Sequence, residues 1–179
     1  MAQTATVYTA TIDLADMDRH VYETLELRVA RHPSETAEYM LVRILAYCLE
    51  YQEGIALTEG VSSADEPALV VRDLTGRITA WIEVGMPDAE RLHRGSKLAG
   101  RVAVYTHRDI RQVMAQLDGE KIHRGTEILI RSFDRKLIEE LAGLFDRRTS
   151  FALSVSDREL HLSIGDRNIA LPMTEHRIA

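Results

Sequence analysis

The chain is poor in cysteine, in aromatic residues and in long apolar runs, and each shortage removes a class of protein. A single cysteine, Cys48, excludes an internal disulfide. It falls on the apolar side of an expected helix and reads as a buried structural thiol. No stretch approaches the ~18 consecutive apolar residues of a transmembrane helix. The opening residues, MAQTATVYTATID, have no basic region followed by an apolar one, so no secretory signal is expected there and cytoplasm is the default compartment. Aromatic residues are 6% of the chain, too sparse for a base-stacking platform, and Trp81 reads as wall or core. The seven histidines include no i,i+4 pair and have no cysteine company, so they offer no zinc spacing. P-loop, nucleophile-elbow and dinucleotide fingerprints are all missing.

What is there is ordinary globular material. Hydrophobic residues are 45% and charged residues 28% of 179, enough for one domain with one core. The formal net charge of −6 argues against an indiscriminate polyanion binder, because nucleic-acid affinity rests on neutralised phosphates. It does not exclude a nuclease, since a carboxylate-built metal site is itself negative. There is no internal repeat and no Pro/Gly-rich linker, so residues 1–179 read as a single domain.

Hydrophobic periodicity supplies the elements. Tyr8, Ala10, Ile12 and Leu14 share one strand face, and Val21, Leu25, Leu27 and Val29 another, with a turn at Ala15–His20. Ala37, Met40, Leu41, Ile44, Leu45, Cys48 and Leu49 form a helical stripe, and Ser34 is the expected N-cap. A short strand at Ile55–Thr58 and a polar loop at Glu59–Asp65 follow. Ala68–Arg72 and Arg77–Val84 form a hairpin around Asp73-Leu74-Thr75-Gly76. In the return strand Thr79, Trp81 and Glu83 oppose the apolar row. Pro87 suits the first position of a helix running to about Ala99. Then come a strand at Arg101–Thr106, a helix carrying Ile110, Val113, Met114 and Leu117, a strand at Thr126–Arg131, and a helix carrying Leu137, Ile138, Leu141 and Leu144. The last thirty residues read as a meander of Ser150–Val155, Glu159–Ile164 and Asn168–Leu171. The fold class is α/β (α+β) with a mixed sheet, and antiparallel strands are added at both termini.

From the first helix onward the order is α-β-β-β-α-β, the common core of PD-(D/E)XK nucleases. The stretch Ala30-Arg31-His32-Pro33-Ser34-Glu35-Thr36-Ala37-Glu38, with Arg43 after it, resembles the ARHPSETxE…R signature of the YaeQ family. Asp65-Glu66-Pro67, Trp81-Ile82-Glu83-Val84-Gly85, Pro87-Asp88, Arg91 and Val102–Thr106 are similar to that family in the same order. The resemblance covers roughly residues 5–110 and implies the nuclease-like fold.

It also implies a site. Mg²⁺, with Mn²⁺ as substitute, takes oxygen ligands and keeps several waters, so two or three convergent carboxylates suffice. Glu83 is the strongest ligand candidate, and its alternative is an exposed glutamate on a half-wet sheet. Asp65 and Glu66 stand where the motif aspartate is expected, but before Pro67 instead of after it. Asp73 is explained by its β-turn. Glu35 and Glu38 start the long helix. A helix dipole accounts for Glu35; Glu38, at the margin of the buried stripe, needs a partner, either a metal, Arg31 or Arg43. Gly85 occupies the position of the motif lysine, so Lys97 or Arg94 on the next helix is the expected replacement near a scissile phosphate. Two functions follow: a Mg²⁺-dependent nuclease or phosphodiesterase acting on nucleic acid, or a non-catalytic nucleic-acid- or protein-binding scaffold loosely linked to transcription.

Overall fold

The computed structural model describes residues 4–59 and 65–179; the middle of the polar loop expected at 59–65 lies outside them. Among the described residues ten strands form one mixed sheet, accompanied by four α-helices. No helix there is long and apolar enough to cross a membrane.

Strands β1 (Thr6–Asp16) and β2 (Val21–Arg31) form the antiparallel hairpin. Their period-2 pattern buries Ala10, Ile12 and Leu14 against Leu25, Leu27 and Val29. In the turn, Arg19 pairs with buried Asp16 at 2.8 Å. Its guanidinium also donates to the carbonyls of Tyr51 and Cys48 at 2.9 and 3.0 Å, a cation placed on helix-terminal acceptors.

Helix α1 (Ala37–Leu49) starts later than its sequence suggests: Thr36, not Ser34, is the N-cap, accepting from the Tyr39 amide. Residues 32–35 close a turn of their own. Glu35 N–H donates to the His32 carbonyl, and the Ser34 hydroxyl is engaged by His32 Nδ1 at 2.7 Å. Helix α1 is buried almost all round, Val42, Arg43 and Ala46 included. Cys48 is buried there, and its thiol is pushed up to about 12 by that burial.

Strands β3 (Ile55–Leu57), β4 (Leu69–Arg72) and β5 (Ile78–Val84) follow as an antiparallel meander. Asp88, not Pro87, begins helix α2 (Ala89–Leu98), because its carboxylate accepts from the Arg91 amide and Pro87 lies one residue outside. Strand β6 (Arg101–Thr106) lies parallel to β5, and β7 (Leu129–Phe133) parallel to β6. Between them are α3 (Ile110–Leu117) and a 3-10 turn at Gly125–Glu127, which takes up the residues expected to open the strand. Helix α4 (Arg135–Ala142) leads to β8 (Arg148–Ser156), β9 (Glu159–Ile164) and β10 (Arg167–Arg177).

The sheet order is β2-β1-β8-β9-β10-β7-β6-β5-β4-β3. Strand β10 outruns its apolar pattern and joins the two halves, pairing with β9 over Arg167–Pro172 and with β7 over Met173–Arg177. Pro172, with no N–H to donate, falls where the partner changes. The polar residues beyond it are satisfied across the ladder, His176 by Ser132 at 3.0 Å and Glu175 by Arg131 at 3.2 Å. Strand β8 meets β1 in parallel, so the terminal additions are not wholly antiparallel.

One large core gathers around α1, between the two halves of the sheet. A second lies on the opposite face of β5–β7 beneath α2 and α3, and includes Trp81, Leu92, Val104, Val113 and Leu117. The half-wet alternative for β5 is therefore wrong: Trp81 and Glu83 are buried on the α2 side while Ala80, Ile82 and Val84 are buried on the α1 side. Parallel strands covered on both faces behave this way.

Helix α2 comes close to β5 because Gly95 lies on the Trp81 indole, where an added Cβ would stand 2.6 Å from the ring. Gly95→Ala is expected to destabilise the fold by about 1–3 kcal/mol through overpacking. Urea unfolding followed by the fluorescence of the single tryptophan measures this.

Candidate functional site

Strand β5 delivers Glu83 to the face of the sheet covered by α2. The Asp88 cap fixes the start of that helix, which brings Arg91 over the carboxylate. Glu83 Oε1 accepts from the Trp81 indole at 2.7 Å and from Arg91 Nε at 3.0 Å. Arg91 also donates to the Glu66 carbonyl. On the next turn Arg94 pairs with Asp65 at 3.2 Å and with Glu90 at 3.7 Å. Glu83, Asp65 and the Glu66 backbone thus come to one edge, bridged by two guanidinium groups. Asp65 and the Glu66 side chain are exposed. Burial pushes the Glu83 carboxyl up from its ordinary value, against the opposing charge of Arg91.

Lys97 does not join them. Arg91 contacts Glu83, Gly95 lies on Trp81 and Gly100 approaches the Thr79 carbonyl, so α2 runs back along β5. Lys97 is exposed in its last turn, toward the far end of the strand from Glu83. Gly85 does not share the face of Glu83 either. Its φ of +89° turns the chain, and a Cβ there would point at the Tyr39 ring 3.3 Å away, on the α1 side. The alternation that puts residues 83 and 85 together ends with the strand.

Glu35 lies outside the first turn of α1 and pairs with Arg43 at 2.6 Å, both fully buried. Its other oxygen accepts from the His32 amide at 2.9 Å. Arg43 donates as well to the Thr58 carbonyl at 3.1 Å. Arg31, the other cation considered for this region, bonds the Glu35 carbonyl and the Tyr8 hydroxyl. Between this pair and the Glu83–Arg91 pair lies Tyr39, whose phenol is pushed up to about 12, first by burial. Asp73 is used by its turn, accepting from Thr75 and Arg77.

Glu38 is not held by either arginine. With Ser34, Glu35, Thr36, Tyr39, Gly85, His107, Arg108, Arg135 and Glu139 it lines a cavity of about 490 Å³ where β5 and β6 end. His107 is buried, and its Nδ1 has no hydrogen-bond partner. The sequence offered little to find this group: His107, Arg135 and Glu139 share no motif, and only the place of His107 just after a parallel strand could have marked it.

Among the described residues no three His, Cys, Asp or Glu side chains converge as a metal-holding group. Glu83, Glu35 and Asp65 each face an arginine, and Glu38 lies with Glu35 on the cavity wall, away from Glu83. This donor set does not fit a hard divalent cation, which needs carboxylates turned toward one point.

Fold and site together define a class: an α+β protein with one mixed sheet wrapped around a buried helix, and arginine-paired carboxylates near the ends of its parallel strands. The YaeQ protein family model matches residues 1–173, and the chain belongs to that family. Uncharacterized protein YaeQ of Escherichia coli (strain K12) is 31% identical over 175 residues, 97% of each chain, and that of Salmonella typhi matches at the same identity and coverage. The crystal structure of the YaeQ protein from Pseudomonas syringae superposes with a TM-score of 0.88 at 32% identity, covering 97% of both chains. That of the Xanthomonas axonopodis pv. citri protein gives 0.83 at 27% identity, covering 98% of this chain and all of that one.

Arg43→Met strands a buried carboxylate and is expected to cost about 3–5 kcal/mol in urea unfolding. Glu83 carries the opposite sign of pH dependence from an ordinary paired acid. Its folded pKa is raised, so the wild type loses stability as pH rises through the window between the unfolded and folded values. The stability of Glu83→Gln relative to wild type is therefore expected to increase from pH 4 to pH 7, as paired urea titrations will read.

Proposed function

We propose that this chain uses a nuclease-like α-β-β-β-α-β core as a binding scaffold and not as a Mg²⁺-dependent phosphodiesterase. The order α1-β3-β4-β5-α2-β6 supports the core assignment. The observation that carries the scaffold reading is the capture of Glu83 by the Trp81 indole and the Arg91 guanidinium. An arginine stands where a hard cation would have to stand, and its charge cannot be titrated away to yield the place. A Glu83 held in this way is not free to ligate a cation that would acidify a water.

One observation favours the hydrolytic reading: Asp65, the Glu66 backbone and Glu83 meet the same two arginines. In that reading Glu83 with Asp65 or Glu66 binds Mg²⁺ or Mn²⁺ with help from Glu35 or Glu38. Arg94 or Lys97 then serves the phosphate of a nucleic acid, and the Arg91 pair must open first.

Calorimetric titration of the full chain with Mg²⁺ and with Mn²⁺ separates the two, run beside cleavage assays on single- and double-stranded DNA and RNA. The scaffold reading expects no saturable heat and no cleavage. Saturable metal binding that Glu83→Ala abolishes, accompanied by cleavage, would establish the phosphodiesterase instead.

A further inference from the structure

The cavity at the ends of β5 and β6 is walled by groups that take no part in the Glu83–Arg91 contact. Gly85 and His107 each stand immediately after a parallel strand, the position at which open α/β sheets take their ligands. Its volume of about 490 Å³ is that of a small-molecule site. The first turn of α1 meets it through Thr36 and Glu38, and the first turn of α4 through Arg135. Thr36 and Asp134 already accept from the Tyr39 and Leu137 amides, and the other first-turn N–H groups have no partner inside the helix and favour negative charge.

The side chains add to this. The backbone amide of Arg108 donates to the Thr106 hydroxyl at 3.0 Å, and its guanidinium, on the cavity wall, has no ion pair among the described residues. Arg135 contributes a second cation, shared with Glu139 at 3.0 Å. Glu38 carries no hydrogen bond or ion pair among the described residues and supplies an acceptor.

His107 shows that the wall is not merely a solvated surface. It is only 9% exposed, yet its Nδ1 has no partner among the described residues, an arrangement that buried polar atoms rarely show. Its pKa is lowered, first by burial and then by Arg108, with Arg135 acting the same way and Glu38 and Glu139 opposing. The imidazole is therefore neutral at pH 7, with one donor and one acceptor to place.

We propose that this cavity binds a small phosphate monoester. Arg108, Arg135 and the two helix N-termini receive the dianionic phosphate, and Glu38 receives a hydroxyl or amino group on the organic part. A monoester is doubly charged near neutral pH, which suits paired cations better than a single carboxylate would. The proposal rests on the reading in which Glu35 and Glu38 are not recruited to a metal at the Glu83 edge.

The test is an imidazole ¹⁵N–¹H NMR titration of the full chain with inorganic phosphate, glycerol 3-phosphate, adenosine 5′-monophosphate and succinate, without metal. His107 is expected to shift saturably with a phosphate-bearing probe, and its pKa to rise in the complex. Arg108→Ala should weaken binding by about tenfold or more, from the loss of a charge-assisted contact. Glu38→Gln should strengthen inorganic phosphate, by removing a repelling charge, while weakening the preference for whichever organic ester binds. Glycerol phosphate and the nucleotide distinguish a compact polyol from a base-bearing ligand. Two results would overturn the proposal: no saturable His107 shift with any phosphate probe, or a shift that Arg108→Ala leaves unchanged. Binding of succinate alone would overturn the phosphate class. No arm reads metal binding, so failure here leaves the Glu83 question to its own titration.

Discussion

Arg43 is the charge that the centre of this protein has to accommodate. It projects from a helix buried on nearly every side, where an unpaired guanidinium would be untenable. Its counter-charge is Glu35, held by a turn that closes β2 and opens α1, and its second fork reaches the Thr58 carbonyl beyond β3. One side chain therefore ties the exit of β2, the body of α1 and the end of β3 to a common point. The placement of Thr36, Glu38 and Tyr39 follows, because the helix cannot rotate without breaking the pair. Both sites described above depend on that rotation, since Tyr39 separates them and Glu38 faces the cavity.

The same chemistry recurs across the fold. Glu83 is met by Arg91, Asp65 by Arg94, and buried Glu50 by Arg101 together with the Tyr105 hydroxyl. Tyr105 in turn accepts from Arg131, which pairs with Glu175 on β10. That chain of contacts links the end of α1 to β6, β7 and β10 across the join between the two halves of the sheet. A buried carboxylate demands a positive neighbour, and a metal ion or an arginine meets the demand equally well on paper. Candidate metal ligands and structural ion-pair partners therefore look alike when only residue types and spacings are known.

Much of the fold was legible all the same. The hairpin at the start, the stripe of α1, strand β9 and the order of elements rest on local periodicity, which survives in any context. The errors have physical causes. Ser34 looked like a cap because serine usually is one, but its hydroxyl is taken by His32. Pro87 looked like a first helical residue, but Asp88 supplies the hydrogen bond that sets the start. Strand β10 was underestimated because its second half is polar and is held by β7, a partner far away in sequence. Glu83 is buried and paired with Arg91, while Gly85 was placed beside it by an alternation that stops when φ turns positive.

By itself the sequence determined the family and the succession of elements, because these follow from short-range pattern and from residues standing close together along the chain. Only the tertiary structure decided what the candidate acids face. Glu83 meets Arg91 because α2 runs back along β5, Glu35 meets Arg43 because the turn before α1 folds inward, and Glu38 shares a cavity with His107 because two parallel strands end side by side. Partnership between charges depends on distances of a few ångströms between segments far apart in the chain, and no spacing in the sequence encodes those distances.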